Sequence, residues 1–267
     1  MWEASIWAHA SGGCAVGLLG GLIAGLLGVS PGGILVPALA IGLGLEQHRA
    51  QAVSLAAQLF PTSLAGVLQY QRKGHAVPLR WVAWISTGFV IGAYFGAVLA
   101  HFVPAKPLTW LYVTYLLVLA VIVACKGHTQ ATESILKPTE LHIRSAAGFL
   151  AIGALSGCFS GLLGIGGGLA MTALLVLFFR LPQHQAQALS LAVAVLPTGL
   201  PAVWVYATSE AGLPWVIAAT VVIGLWAGTS LGARIAAHLG ARHLQAWFVA
   251  LVLVMAGAMI IKSIGVW

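Results

Sequence analysis

The chain is one unit written twice, and that repeat limits the folds open to it more than any other feature. Leu26-Leu27-Gly28 returns 136 residues later as Leu162-Leu163-Gly164, and Gln47-His48 returns as Gln183-His184. Ala50-Gln51-Ala52 matches Ala186-Gln187-Ala188, Ser54-Leu55-Ala56 matches Ser190-Leu191-Ala192, and Pro61-Thr62 matches Pro197-Thr198. Gly88, Gly92 and Gly96 pair with Gly224, Gly228 and Gly232. The register holds without a gap over about eighty residues, with about a third of the aligned residues identical. Chance similarity between Leu- and Ala-rich helices would not keep one register so long. The sequence is a duplication.

Each copy holds five apolar stretches. They fall at about 8–28, 33–47, 50–70, 80–103 and 107–125, then at about 145–164, 168–181, 185–207, 214–238 and 243–262. Most reach the ~20 residues that a membrane-spanning helix needs. The second and seventh are shorter, and each follows a Gly-rich break. Composition now decides the class: 60% of the 267 residues are apolar, 6% are charged, and Asp is absent. Soluble domains carry about a quarter charged residues, so a water-facing surface cannot be built from this supply. The expected fold is an all-α polytopic membrane protein with two homologous halves. Residues 1–125 form the first transmembrane repeat, 126–144 a polar linker, and 145–267 the second repeat. Trp2 and Glu3 open the chain without a basic run, so a cleaved signal peptide is not expected.

The net charge of +7 would suggest nucleic acid in a soluble chain, but here it reads as loop charge. Lys and Arg mark cytoplasmic loops of membrane proteins. With five crossings per half, the second half is inverted relative to the first. Placing the Gln71-Arg72-Lys73 loop inside then puts nine of the basic residues in the cytoplasm and leaves Arg49, Lys106 and Lys262 outside. With four crossings per half the split is seven against five. The loop equivalent to Arg72-Lys73 is Ser209-Glu210, which has lost its positive charge, as an inverted copy should. Inverted repeats with both termini outside are the favoured arrangement, and duplicated inverted halves are the usual build of secondary transporters.

Two breaks stand at matching places: Gly28-Val29-Ser30-Pro31-Gly32-Gly33 and Gly164-Ile165-Gly166-Gly167-Gly168. Irregular backbone at membrane depth is tolerated only where protein or a water-filled cavity satisfies its amides. The helix after each break begins with unpaired N–H groups and the positive end of its dipole, which suit an anion. Close packing is the bland alternative, because small residues let membrane helices touch. The pairing of the breaks favours function, placing substrate at Ser30, Gly32, Gly33, Gly166, Gly167 and Gly168. In the third stretch Ser54, Gln58 and Thr62 fall at i, i+4 and i+8, on one helical face that also carries Pro61. Its counterpart offers Ser190, Ala194 and Thr198 beside Pro197. Gln58, Thr62 and Thr198 join the expected substrate-binding set.

His48 and His184 begin equivalent helices, and capping a helix end is their favoured reading. Glu3, Glu46, Glu133, Glu140 and Glu210 all lie outside the apolar cores, Glu46 at the very end of the second stretch, which disfavours a cation site or a proton relay. Neither the histidines nor Cys14, Cys125 and Cys158 have metal-binding spacing. No catalytic residue, metal or cofactor is expected, and the chain does not read as an enzyme.

With these motifs the chain resembles the sulfite exporter TauE/SafE family. Gly164 to Gly168 matches that family's glycine run, and Val36-Pro37 its Val-Pro in the short helix that follows. Gln51 to Leu55 and Gln187 to Leu191 match the start of the next helix. The likeness covers about residues 12–262. The first break reads Ser30-Pro31 where the family usually has two glycines, and Thr172-Ala173 stands for Val-Pro in the second half. The two breaks are thus expected to contribute unequally. The resemblance implies a secondary transporter, working as an exporter by alternating access. Its substrate would be sulfite, thiosulfate, sulfoacetate or another organosulfonate, and its location a multi-pass place in the cell inner membrane. The expected partners are that small sulfur-containing anion and membrane lipid, with no nucleic acid; a homo-oligomer is left open. A passive anion channel and a non-transporting scaffold or assembly factor are the alternatives.

Overall fold

A computed structural model describes residues 2–27, 30–60, 67, 77–126, 144–209, 212–236 and 241–264. Every element among them is an α-helix. In chain order these are α1 (Trp2–Leu27), α2 (Gly32–Gly42), α3 (Gln47–Ala57), α4 (Leu79–Phe102) and α5 (Ala105–Lys126). There follow α6 (Arg144–Leu163), α7 (Gly168–Phe179), α8 (Gln183–Val195), α9 (Leu200–Thr208), α10 (Trp215–Ala236) and α11 (Ala241–Ser263). Among the described residues three segments are long and apolar enough to cross a membrane: Leu79–Phe102, Ala146–Leu163 and Trp215–Gly232. The chain is an all-helical, multi-pass membrane protein.

The short second and seventh stretches are helices of 11 and 12 residues, α2 and α7, each set off by its break. The eighth stretch is not one rod. Leu196, held extended by the proline after it, ends α8, and α9 leaves at 49°. Pro197 cannot continue the helix, and Pro201 then sits in the first turn of α9, where a missing N–H costs nothing. Counted together, α8 and α9 make a fourth candidate span. The third stretch also stops early: α3 ends at Ala57, with Gln58 closing it through its amide to the Ser54 and Leu55 carbonyls. Gln58 is therefore a helix end, not the middle of a continuous face. Pro61 and Thr62, the Arg72-Lys73 loop, Glu210 and linker residues 127–143 lie outside the described residues.

Two helix pairs carry the main packing. α1 lies along α10, and α4 lies along α6. Positions 136 apart make α1 equivalent to α6 and α4 to α10. Each pair therefore joins a first helix to the fourth helix of the other copy. Glycines make the approach close. A methyl on Gly88, Gly92 or Gly96 would overlap the carbonyls of Leu150, Ala154 or Cys158 on α6. On Gly224, Gly228 or Gly232 it would overlap those of Cys14, Leu18 or Leu22 on α1. These i, i+4 stripes are packing glycines, as expected for small residues between membrane helices.

α3 lies at the centre, with every residue from Ala50 to Ala57 buried. A helix buried on all sides is normally apolar throughout, yet α3 carries Gln51 and Ser54 at full burial. Their polar groups need partners, and those partners define the site.

Candidate functional site

The last turn of α6 leaves carbonyls without helical donors, as any helix end does. The Ser160 carbonyl receives the Gly164 amide at 2.7 Å. Tyr206 of α9 donates its hydroxyl to the Gly161 carbonyl at 3.0 Å and to Gln51 Oε1 at 2.9 Å. Ser54 donates to the Gly164 carbonyl at 2.8 Å, and Ser30 to the Ile165 carbonyl at 3.2 Å. Ser190 and Thr172 both donate to the Gly168 carbonyl at 2.9 Å. The Gly164, Ile165 and Gly168 carbonyls of the second break are thus capped by hydroxyls, those of Ser30 and Ser54 coming from the first copy.

Gln58 locks this crossing. Its Nε2 donates to the Ser54 carbonyl at 2.9 Å and to Ser54 Oγ at 3.1 Å, with the Gly164 carbonyl at 3.5 Å. Its Oε1 accepts from Ser30 Oγ at 3.0 Å. The two breaks meet around this amide. A methyl on Gly32 would overlap the Ile165 carbonyl, and one on Gly166 would overlap Gln58 Oε1. Gly164, Gly166 and Gly167 turn the chain with φ of +74°, +73° and +67°, values at which a side chain is strained.

The capped carbonyls leave an asymmetry. The amides of Gly166, Gly167 and Gly168 donate to no described group, and they stand at the head of α7, the positive end of its dipole. Among the described residues no carboxylate belongs to the crossing. Such an arrangement suits a small anion and repels a cation.

The structure brings Ser30, Gly32, Gly33, Gln58, Gly166, Gly167 and Gly168 together. It gives the side chains a different task from the one their spacing suggests. The donors of Gln58 and Ser30 are taken up by carbonyls and by each other, so they position the breaks, and the donors without a described acceptor are backbone amides. Thr198 is buried between α8 and α9 and lines a separate groove. Thr62 lies outside the described residues. Among those residues no group of three or more His, Cys, Asp or Glu is placed to hold a metal ion.

Several residues escaped the sequence reading. Gln51 Nε2 and the hydroxyls of Ser156 and Ser160 are buried without partners beside the crossing. Their signal was polarity inside apolar stretches, with Ser156 and Ser160 one turn apart ahead of Gly164. Tyr112 of α5 donates to the carbonyls of Gly32 at 3.3 Å and Gly33 at 3.1 Å. His48 does more than head a helix: its ring stacks on His101 with centroids 6.0 Å apart, and His101 lies 5.1 Å from the Tyr206 ring. The side chain of His184 is outside the described set.

Comparison with known proteins bears out the family resemblance of the sequence. The family described as sulfite exporter TauE/SafE matches residues 13–259. A Bacillus subtilis (strain 168) protein described as "Probable membrane transporter protein YdhB" is 27% identical over 215 residues, covering 80% of this chain and 85% of that protein. No solved structure gives a significant match.

Proposed function

The chain belongs to the sulfite exporter TauE/SafE family of membrane transporters, and from that premise we propose that it moves a small sulfur-containing anion across the cell inner membrane by alternating access. Sulfite, thiosulfate, sulfoacetate and other organosulfonates are the candidate substrates, and export is the direction. The observation that carries the proposal is the crossing of the two breaks: the Gly164, Ile165 and Gly168 carbonyls are capped by hydroxyls, and among the described residues the Gly166–Gly168 amides have no acceptor and no carboxylate belongs to the crossing. Backbone amides replace the water of an oxyanion, and the site needs no charged ligand to do so.

The reciprocal packing of α1 on α10 and of α4 on α6 supports two halves related by an approximate two-fold axis, and the loop charges favour reading them as inverted. A site where two such halves meet is what alternating access uses, because rocking one half against the other exposes the same site to each side. Gln58 and Ser30 tie the breaks together, so they couple the halves as they move.

The test is flux in proteoliposomes with labelled sulfite, thiosulfate and sulfoacetate. Saturable uptake accelerated by the same anion on the opposite side supports the transporter. Ohmic current without saturation would instead favour a passive channel, and neither binding nor flux of any oxyanion a scaffold.

A further inference from the structure

A groove of about 390 Å³ lies between α4 and the α8–α9 break. Val90, Ile91, Leu196 and Pro197 give it apolar walls, and Ser86 and Thr198 give it a polar end. The Ser86 hydroxyl is buried and has no hydrogen-bond partner. Thr87 beside it differs, because its hydroxyl is already bonded back to the Ala83 carbonyl at 2.9 Å. The same end holds the head of α9, where Pro197 and Pro201 interrupt the backbone bonding. Among the described residues no acidic side chain lines the groove.

These features call for one kind of occupant. The groove is open to the protein surface, and its volume is far more than a bare oxyanion fills. The apolar walls repel a hydrated ion, while an unpaired buried donor and a helix N-terminus attract negative charge. The groove also lies one side chain from the crossing. Phe89, between Ser86 and Val90 on α4, places its ring where a methyl on Gly167 would stand.

We infer that this groove is a subsite for the hydrocarbon body of an organic anion, with Ser86 and the head of α9 meeting its polar end. The subsite sets a preference for anions that carry a short apolar body over bare oxyanions. The inference rests on the transport reading above and names the residues that would choose among its substrates. Ile91 is half exposed at the groove wall, so a larger side chain there fills the groove without entering the core.

The experiment compares pentanesulfonate with sulfite in proteoliposomes of the wild type, Ile91→Trp and Ser86→Ala. Ile91→Trp should lose pentanesulfonate transport while keeping sulfite transport. Ser86→Ala should weaken pentanesulfonate about tenfold, the scale of one hydrogen bond to a charged group, and leave sulfite unchanged. Equal effects on both anions, or none on pentanesulfonate, would overturn the inference. If the wild type transports neither anion, the transport reading fails, and the groove is then judged by the thermal shift that pentanesulfonate gives in detergent. A shift abolished by Ile91→Trp and reduced by Ser86→Ala keeps the groove. No shift, or one insensitive to Ser86 as an acyl chain in the groove would give, rejects it.

Discussion

Tyr112 donates its hydroxyl to the Gly33 carbonyl at 3.1 Å, and Gly33 is the residue whose carbonyl Pro37 deprives of a helical donor. Pro37 lies inside α2, and a proline in a helix removes the bond to the carbonyl four residues earlier. A tyrosine from α5 repairs the gap. The second copy is consistent with this account in sequence alone: Ala173 stands at the place of Pro37, and Phe248 at the place of Tyr112. Where the proline is absent, so is the hydroxyl.

Tyr112→Phe should therefore cost about 1–3 kcal/mol, the scale of leaving a buried acceptor unsatisfied. With Pro37→Ala in place, the restored amide can bond Gly33, and the same substitution should cost about 1 kcal/mol less. A double-mutant cycle on thermal unfolding in detergent measures the difference. Equal costs in the two backgrounds would show that Tyr112 acts through something other than the Gly33 carbonyl.

That pair also shows what the sequence reveals and what it hides. The breaks and the short α2 and α7 are legible, because glycine acts on its own neighbourhood, whereas the apolar run 185–207 reads as one stretch and hides the parting of α8 from α9 at Pro197. Gln58 is legible as a polar residue in an apolar stretch, read there as a substrate ligand. Its role is not, because the carbonyls that consume its donors belong to Gly164 and Ser54, and the first of these lies 106 residues away. Helical spacing placed Ser54, Gln58 and Thr62 on one face, but α3 stops at Ala57. The stop is set by Gln58 capping the helix end, a local event that periodicity does not register. Ser86 was lost among apolar neighbours, and only the packing of α4 on the α8–α9 break gives it a groove to face.

The glycines of the crossing separate by conformation. A methyl on Gly33 would meet nothing within 4 Å, and Gly33 lies in a helix where alanine is favoured by about 1 kcal/mol. Gly33→Ala should fold at least as stably as the wild type. Gly166→Ala must hold φ at +73° and displace Gln58 Oε1, so it should lose about 1–2 kcal/mol and weaken oxyanion binding as the amides shift. Gly228 offers no neutral control, because a methyl there would strike the Leu18 carbonyl. Unfolding and isothermal titration of Gly33→Ala and Gly166→Ala decide the matter. Unchanged affinity in Gly166→Ala would place the anion elsewhere.

His48, at the head of α3, gives a pH dependence whose sign is fixed. Burial and the charge of neighbouring His101 hold its pKa below the ordinary imidazole value, against the smaller upward pull of Glu46 and the Val103 carbonyl. The Tyr206 ring closes the other side of His101. The folded protein thus resists a proton that the unfolded chain accepts near pH 6.5. Stability is complete above that pH and falls as the pH drops through it towards the folded value. His48→Gln should flatten the fall in melting temperature between pH 7 and pH 5, and His101→Gln should reduce it. Superimposable profiles for the wild type and His48→Gln would refute the assignment.

The closing turns of α2 and α7 carry the repeat into backbone geometry. The Leu45 amide donates to the Leu39 carbonyl at 3.4 Å, and the equivalent Leu181 amide donates to the Leu175 carbonyl at 3.5 Å. Such a return bond needs a left-handed residue after the helix. The first copy supplies Gly44 at φ +64°, whereas the second supplies Arg180 at φ +50°. A side chain in that conformation costs about 1–2 kcal/mol. The Arg180 charge offsets part of this by about 0.3–1 kcal/mol at the negative end of the α7 dipole. Arg180→Gly removes the strain and the charge together, so it should stabilise by about 1 kcal/mol or less. Arg180→Ala keeps the strain and loses the charge, and should destabilise. The order of melting temperatures is therefore Gly above Arg above Ala. An alanine variant as stable as the glycine variant would mean that the left-handed turn at position 180 is not where the two copies differ in energy.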